Sequence, residues 1–274
     1  MEEKYNNLIK RTTTTIIGVF LAFLTIFWEG FPFFIVVIII ALLGLRELYS
    51  IADKQGYKPS YILGTILILY FIFIAVYDVY SLNCYIENII ITFFIILSFI
   101  LQLFRKDFSK VLAEISIAIF GSIYLGYLFS FVIKIKDLPN GNYYLISLLI
   151  VTWVNDIGAY LIGTYFGKNK IFPKISPKKT IEGSIGGIIF SIAATFALKN
   201  WLNLTFNELI SIGLIIAIIA QIGDLFESVL KRGSGVKDSG TLIPGQGGIL
   251  DCLDSLIFTA PVFYYYIVFL TLYQ

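Results

Sequence analysis

Histidine is absent from the 274 residues. That removes imidazole metal sites, imidazole general bases and every Ser–His or Cys–His nucleophile pair at once. Cysteine occurs only as Cys84 and Cys252, in no metal-ligand spacing. Charge is scarce too: Asp, Glu, Lys and Arg make up 14% of the chain, against about 25% in ordinary soluble domains. A net charge of +2 offers no polybasic surface, so nucleic acid is not an expected partner. The first residues, Met1-Glu2-Glu3-Lys4-Tyr5, lack the basic start and small-residue cleavage site of a signal peptide, so the first helix is expected to be retained.

What the chain has instead is apolar length. Hydrophobic residues are 58% of it, in continuous runs that show no alternation. A bilayer core of about 30 Å needs about 20 apolar residues per helix, and lipid admits only helices or closed barrels. Continuous runs select helices. The sequence therefore predicts an all-α, polytopic integral membrane protein with about nine spans, at 12–29, 31–48, 60–79, 86–104, 111–133, 143–166, 182–199, 207–230 and 255–273. The turn at Glu29-Gly30-Phe31-Pro32 separates the first two. With the N-terminus cytosolic, the inner segments hold 17 of the 20 Lys and Arg residues and the outer loops only Lys134, Lys136 and Lys199. That asymmetry predicts an N-in, C-out topology. It places Cys84 outside and Cys252 inside, where they cannot pair. No internal repeat of the kind that builds transporters is visible.

Residues 1–140 read as apolar helices, and the chemistry collects in 141–274, within one membrane domain. Asp156 and Asp224 sit inside the sixth and eighth spans. A carboxylate there costs at least about 2.5 kcal/mol, so each is expected to face a polar cavity, the bland reading being a snorkelling or helix-pairing acid. Asp224, Ser228 and Lys231 form one stripe descending toward the cytosol at i, i+4 and i+7. Glu227 and Lys231 make an i, i+4 pair. A glycine-rich stretch follows, from Gly233 through Lys237-Asp238-Ser239-Gly240 to Pro244-Gly245-Gln246-Gly247-Gly248, and it ends in Asp251 and Asp254. Glycine lets backbone N–H groups wrap an anion, although the P-loop pattern is absent. Ser176-Pro177-Lys178-Lys179-Thr180 leads into Glu182-Gly183 at a helix start, where anions bind. Lys168, Lys170 and Lys174 read as membrane anchors, Lys178 and Lys179 as phosphate contacts. Carboxylates, lysines and glycine without histidine suit Mg²⁺ and phosphoryl or nucleotidyl transfer. An attacking phosphate oxygen, already ionised at neutral pH, needs no protein base.

These blocks resemble the phosphatidate cytidylyltransferase (CDP-diacylglycerol synthase) family. Its signature is matched by Ser228, Lys231-Arg232, Lys237-Asp238-Ser239-Gly240, Pro244-Gly245-Gln246-Gly247-Gly248 and Asp251-Cys252-Leu253-Asp254. Two positions depart from it: Gln246 stands where the family has histidine, and Cys252 where it has arginine. The resemblance implies that CTP and phosphatidic acid become CDP-diacylglycerol and pyrophosphate at the cytosolic face. It implies Asp224 and Asp251 as ligands of Mg²⁺ in a one- or two-cation site, with Asp254 and Asp238 as further ligands or orienters. Lys231, Lys237, Lys178 and Lys179 would neutralise phosphates. Asp156, Glu182, Ser228, Arg232, Gly247 and Gly248 complete the expected substrate contacts, and the family's members can form homodimers. The alternatives are a transporter for a nucleotide or anionic lipid, a CTP-dependent polyprenol kinase, and an inactive relative.

Overall fold

Apolar runs of this composition close their backbone hydrogen bonds within single helices, and helices are what the computed structural model contains. It describes residues 2–28, 30–77 and 108–273, with isolated positions between 89 and 103. Among these there is no named strand, only the isolated bridges Lys170–Thr180 and Ile243–Gly247. The helices are α1 (Glu2–Phe27), α2 (Phe31–Lys54), α3 (Tyr61–Tyr77), α4 (Val111–Asp137), α5 (Gly141–Phe166), α6 (Ile181–Ala197), α7 (Phe206–Gly233) and α8 (Leu250–Tyr273), with a short turn of helix at Lys199–Leu202. Five of them, α2, α4, α5, α7 and α8, are long and apolar enough to cross a bilayer by length alone. Apolar segments of α1, α3 and α6 are shorter. The chain is a polytopic membrane protein.

Local chemistry sets the boundaries. The expected turn before α2 is there: Gly30 takes φ 69° and Pro32 falls in the first helical turn, where a missing N–H costs nothing. Thr180 caps α6 by accepting from the Gly183 N–H, and Thr205 with Glu208 forms a capping box for α7. The last helix departs from expectation. It starts at Leu250 rather than 255, so Asp251 and Asp254 occupy its first turns and share a face instead of preceding it.

α3 and α4 run side by side in the same direction: Gly64 faces Ser122, Ile68 lies against Gly126, and Phe71 meets Tyr127 with ring centroids 5.6 Å apart. Between parallel neighbours a chain must return to its starting end. The sequence puts its fourth span, 86–104, and Cys84 in that interval, outside the described residues apart from isolated positions. α5 and α6 make the most extensive helix contact, with Gly186 against Ile162 and Gly158 against Phe190. Hydroxyls tie neighbouring helices. Ser191 donates to the Gly213 carbonyl (2.8 Å), Thr195 to Leu209 (2.9 Å) and Ser255 to Ala220 (3.1 Å), each worth about 0.6 kcal/mol in a bilayer. At the end of the bundle away from the site, Lys136 reaches the last carbonyls of α1 and lies 3.9 Å over the Phe33 ring.

Candidate active site

α7 carries the expected stripe, and its lower end meets the N-terminus of α8. Lys231 is bracketed there by two carboxylates: Glu227, one turn back on α7, and Asp251, whose Oδ1 it reaches at 2.6 Å. Asp251 uses its other oxygen on the glycine-rich segment. Oδ2 accepts from the Ser239 N–H (2.9 Å), the Ser239 hydroxyl (2.9 Å) and the Gly248 N–H (2.7 Å). One side chain thus fastens two points of a loop to a helix end and to a lysine.

A second acid completes that fastening, and it comes from the half of the chain that looked purely structural. Glu47 of α2, only 7% exposed, accepts from the Ile249 and Leu250 N–H groups at 2.9 Å each and from the Ser239 hydroxyl at 3.0 Å. It therefore caps α8, which is why that helix begins at Leu250. Two glycines are required here. Gly247 has φ 115°, and a Cβ on Gly248 would overlap both the Ser239 hydroxyl and the Glu47 carboxylate. Gly247 and Ile243 exchange backbone bonds at 2.8 and 3.0 Å, closing a tight turn. A cavity of about 570 Å³ opens beside this turn, lined by Lys237, Asp238, Thr241 and Gln246 among others.

α1 touches the same loop. Thr14 donates to the Pro244 carbonyl (2.9 Å), and Gln246 donates to the Thr15 hydroxyl (2.5 Å) while Cys252 lies 3.4 Å from its carbonyl oxygen. The two positions that depart from the resembled signature are thus in contact with each other. On the other flank, Gln55 at the end of α2 donates to the Gly233 carbonyl (2.9 Å) and the Ser234 hydroxyl (2.7 Å).

Deeper between the helices lies a second group. Lys179, arriving from the loop before α6, pairs with Asp224 at 2.5 Å. Gly223 lets α7 and α8 approach closely, since a Cβ there would press on the Asp254 carbonyl. As a result Asp254 lies within the fields of Asp224, Glu227 and Asp156. Asp156 is held by the Asn155 amide at 3.1 Å. Asn155 in turn accepts from Gln221 (3.2 Å), which also donates to the Ser184 carbonyl (3.1 Å) and receives the Ser184 hydroxyl. This buried chain of amides links α5, α6 and α7 behind the carboxylates.

The remaining expected residues divide. Ser228 is half-buried on the stripe, while Lys178 and Lys237 are exposed. Arg232 bonds the Ile175 and Val236 carbonyls (3.3 and 3.2 Å) and so ties two loops together. Glu182 accepts from Lys168 N–H, Asn169 N–H and the Asn169 amide at 2.8–3.2 Å, which makes it a brace for the loop before α6. Glu47, Thr15, Gln221 and Ser184 were not expected from sequence. A glutamate at the edge of an apolar span was the one available signal for Glu47.

Among the described residues no three acidic or sulfur side chains form a ready cage for a metal. The donor set nonetheless suits Mg²⁺, which takes one or two carboxylates and completes its shell with water and substrate phosphate. Asp224 and Asp251 each hold a lysine ammonium, a cation of the kind a phosphate would also accept.

A buried carboxylate group under a glycine loop, fringed by lysines, defines a membrane enzyme of phosphate chemistry. The comparisons sharpen this. The cytidylyltransferase family matches residues 9–270, and the chain belongs to it. It is 31% identical to the phosphatidate cytidylyltransferase of Synechocystis over 95% of this chain and 97% of that protein. It is 33% identical to the Bacillus subtilis enzyme of that name over 85% and 88%, and 32% identical to the Staphylococcus haemolyticus one over 92% and 96%.

Proposed function

We propose that this chain is a phosphatidate cytidylyltransferase, a nucleotidyltransferase of phospholipid biosynthesis. A phosphatidic acid oxygen attacks the α-phosphorus of CTP. The bond from that phosphorus to the α,β-bridging oxygen breaks, giving CDP-diacylglycerol and pyrophosphate. The observation that carries the reading is Lys231, clamped between Glu227 and Asp251 directly beneath the glycine-rich loop. An ammonium held there, with backbone N–H groups above it, is placed to receive phosphate oxygens.

Lys179 and Lys231 neutralise carboxylates on either side of the α7–α8 contact, and both can exchange them for triphosphate oxygens. The cavity lined by Lys237 and Asp238 is the proposed seat of the nucleotide. Asp224 and Asp251 are the proposed ligands of Mg²⁺, with Asp254 and Asp156 in reach of Asp224. Bound there, the ion would neutralise the phosphates and stabilise departing pyrophosphate. Because the nucleophile arrives ionised, no protein base is needed, in keeping with the absence of histidine.

The lysine-rich loops and the site share one end of the bundle, which supports placing that end on the cytosolic side, with the N-terminus in. The lipid then stays in the bilayer while its phosphate meets the loop. The test is purified protein in detergent with CTP, Mg²⁺ and phosphatidic acid. Lipid-linked cytidine and pyrophosphate are expected. Phosphate transfer to a polyprenol with no cytidine in the lipid would replace this reading with a kinase.

A further inference from the structure

α4 is not a regular helix. Residues Ile123–Leu128 form a π-helical stretch, a rare geometry that shifts helix register and occurs mostly at functional sites. Here it brings Tyr124 into the core. The Tyr124 ring is 2% exposed. It stacks on Phe120 at 5.6 Å and meets Phe226 and Phe258 at 5.8 and 6.0 Å. Phe226 immediately precedes Glu227, and Phe258 lies one helical turn beyond Asp254. The aromatic cage therefore directs Tyr124 toward the underside of the carboxylate group, and the charges bearing on it are those of Asp254 and Glu227.

Its hydroxyl is buried and has no hydrogen-bond partner among the described residues. An unpaired buried hydroxyl is costly, and phenylalanine would fill the same cage without that penalty. Four aromatic rings already pack there, so packing alone does not call for tyrosine.

We infer that Tyr124 is a positioning residue of the active site, its hydroxyl donating to the carboxylate floor formed by Asp254 and Glu227. By holding one floor oxygen from below, the hydroxyl orients the remaining oxygens toward Asp224 and Lys231, where phosphate and cation are to be received. The π stretch sets the tyrosine at that depth. This rests on the proposed function, and the experiment separates the two.

The test uses the full chain in detergent and compares wild type with Tyr124→Phe, which keeps the ring and removes only the oxygen. Three quantities are read: unfolding temperature without Mg²⁺, the Mg²⁺ concentration giving half of the Mg²⁺-induced rise in that temperature, and kcat with KM for phosphatidic acid. The expected result is an unchanged or higher unfolding temperature without Mg²⁺, about a fivefold rise in the half-effective Mg²⁺ concentration, and a kcat about tenfold lower at unchanged KM. A Tyr124→Phe protein matching wild type in Mg²⁺ response and kcat overturns the inference. So does a loss of kcat that merely parallels a loss of folded protein. Were wild type itself unable to make lipid-linked cytidine, the proposed function would fall, and the Mg²⁺ stabilisation arm would still decide the role of Tyr124.

Discussion

Glu47→Gln is the sharpest perturbation, because it changes one atom far from the residues that the signature marks. The carboxylate receives three hydrogen bonds at 2.9–3.0 Å, two from backbone N–H groups of α8 and one from Ser239. The amide keeps a single acceptor oxygen and turns an NH₂ group toward a donor. A hydrogen bond to a charged group contributes about 1.5–3 kcal/mol, and a buried donor left unsatisfied costs about 1–3 kcal/mol. Losing a charge at a helix N-terminus adds about 0.3–1 kcal/mol. With partial relaxation, about 2–4 kcal/mol of loop ordering is lost. At about 1.4 kcal/mol per tenfold, kcat/KM should fall roughly 30-fold to 1000-fold. The assay is the initial rate of lipid-linked cytidine formation, run beside thermal unfolding so that folded protein is compared with folded protein. If Glu47→Gln kept kcat/KM within threefold of wild type, the loop would not depend on this side chain, and the link from α2 to the active site would be wrong.

Other changes test other contacts. Gly248→Ala puts a methyl group into Ser239 and Glu47. Overpacking of this kind costs about 1–3 kcal/mol, so a loss of at least about tenfold in kcat is expected in the same rate assay. Asp251→Asn leaves Lys231 with Glu227 alone and weakens the hold on Ser239 and Gly248. Breaking a buried pair costs about 3–5 kcal/mol, and turnover should drop below detection while size-exclusion behaviour stays normal. Asp224→Asn should likewise abolish turnover in folded protein, and near wild-type activity in either variant would refute the proposed metal ligands. Gln246→His retains a donor within reach of Thr15, so activity within about fivefold of wild type is expected. Its loss would mean that the Thr15–Gln246–Cys252 contact is specific to glutamine.

The helices were legible because a bilayer imposes one length and one composition on them, and the stripe at Asp224, Ser228 and Lys231 was legible because helical periodicity places those residues together. What could not be read was how the acids divide. Asp251 looked like a free ligand, yet it organises the loop that follows Lys237. Glu182 looked like a substrate contact and instead folds the loop before α6. Both outcomes depend on backbone N–H groups in irregular segments, whose directions no periodicity encodes. The early start of α8 was missed for the same reason: its cap is Glu47, two hundred residues away in sequence. Tyr124 was hidden by the π stretch, since a pattern counted at 3.6 residues per turn misplaces everything beyond a change of pitch.

Charge balance explains why so many acids lie so deep. Asp156, Asp224, Glu227, Asp251, Asp254 and Glu47 converge near the α7–α8 contact, and the ammonium groups paired among them are those of Lys179 and Lys231. Such an excess of carboxylate would repel a triphosphate at close range. It is tolerable in a nucleotide enzyme only where cations offset it, which is the physical reason for proposing Mg²⁺ despite the lack of a ready three-acid cage. The lysines then have a double use. While paired with Asp224 and Asp251 they stabilise buried acids that would otherwise open the bundle, and each frees its carboxylate when it turns to phosphate. A site built only to bind lipid phosphate would need the lysines without the acids. The acids, fixed from behind by Asn155 and Gln221 and from the far half of the chain by Glu47, are what favour transfer over binding.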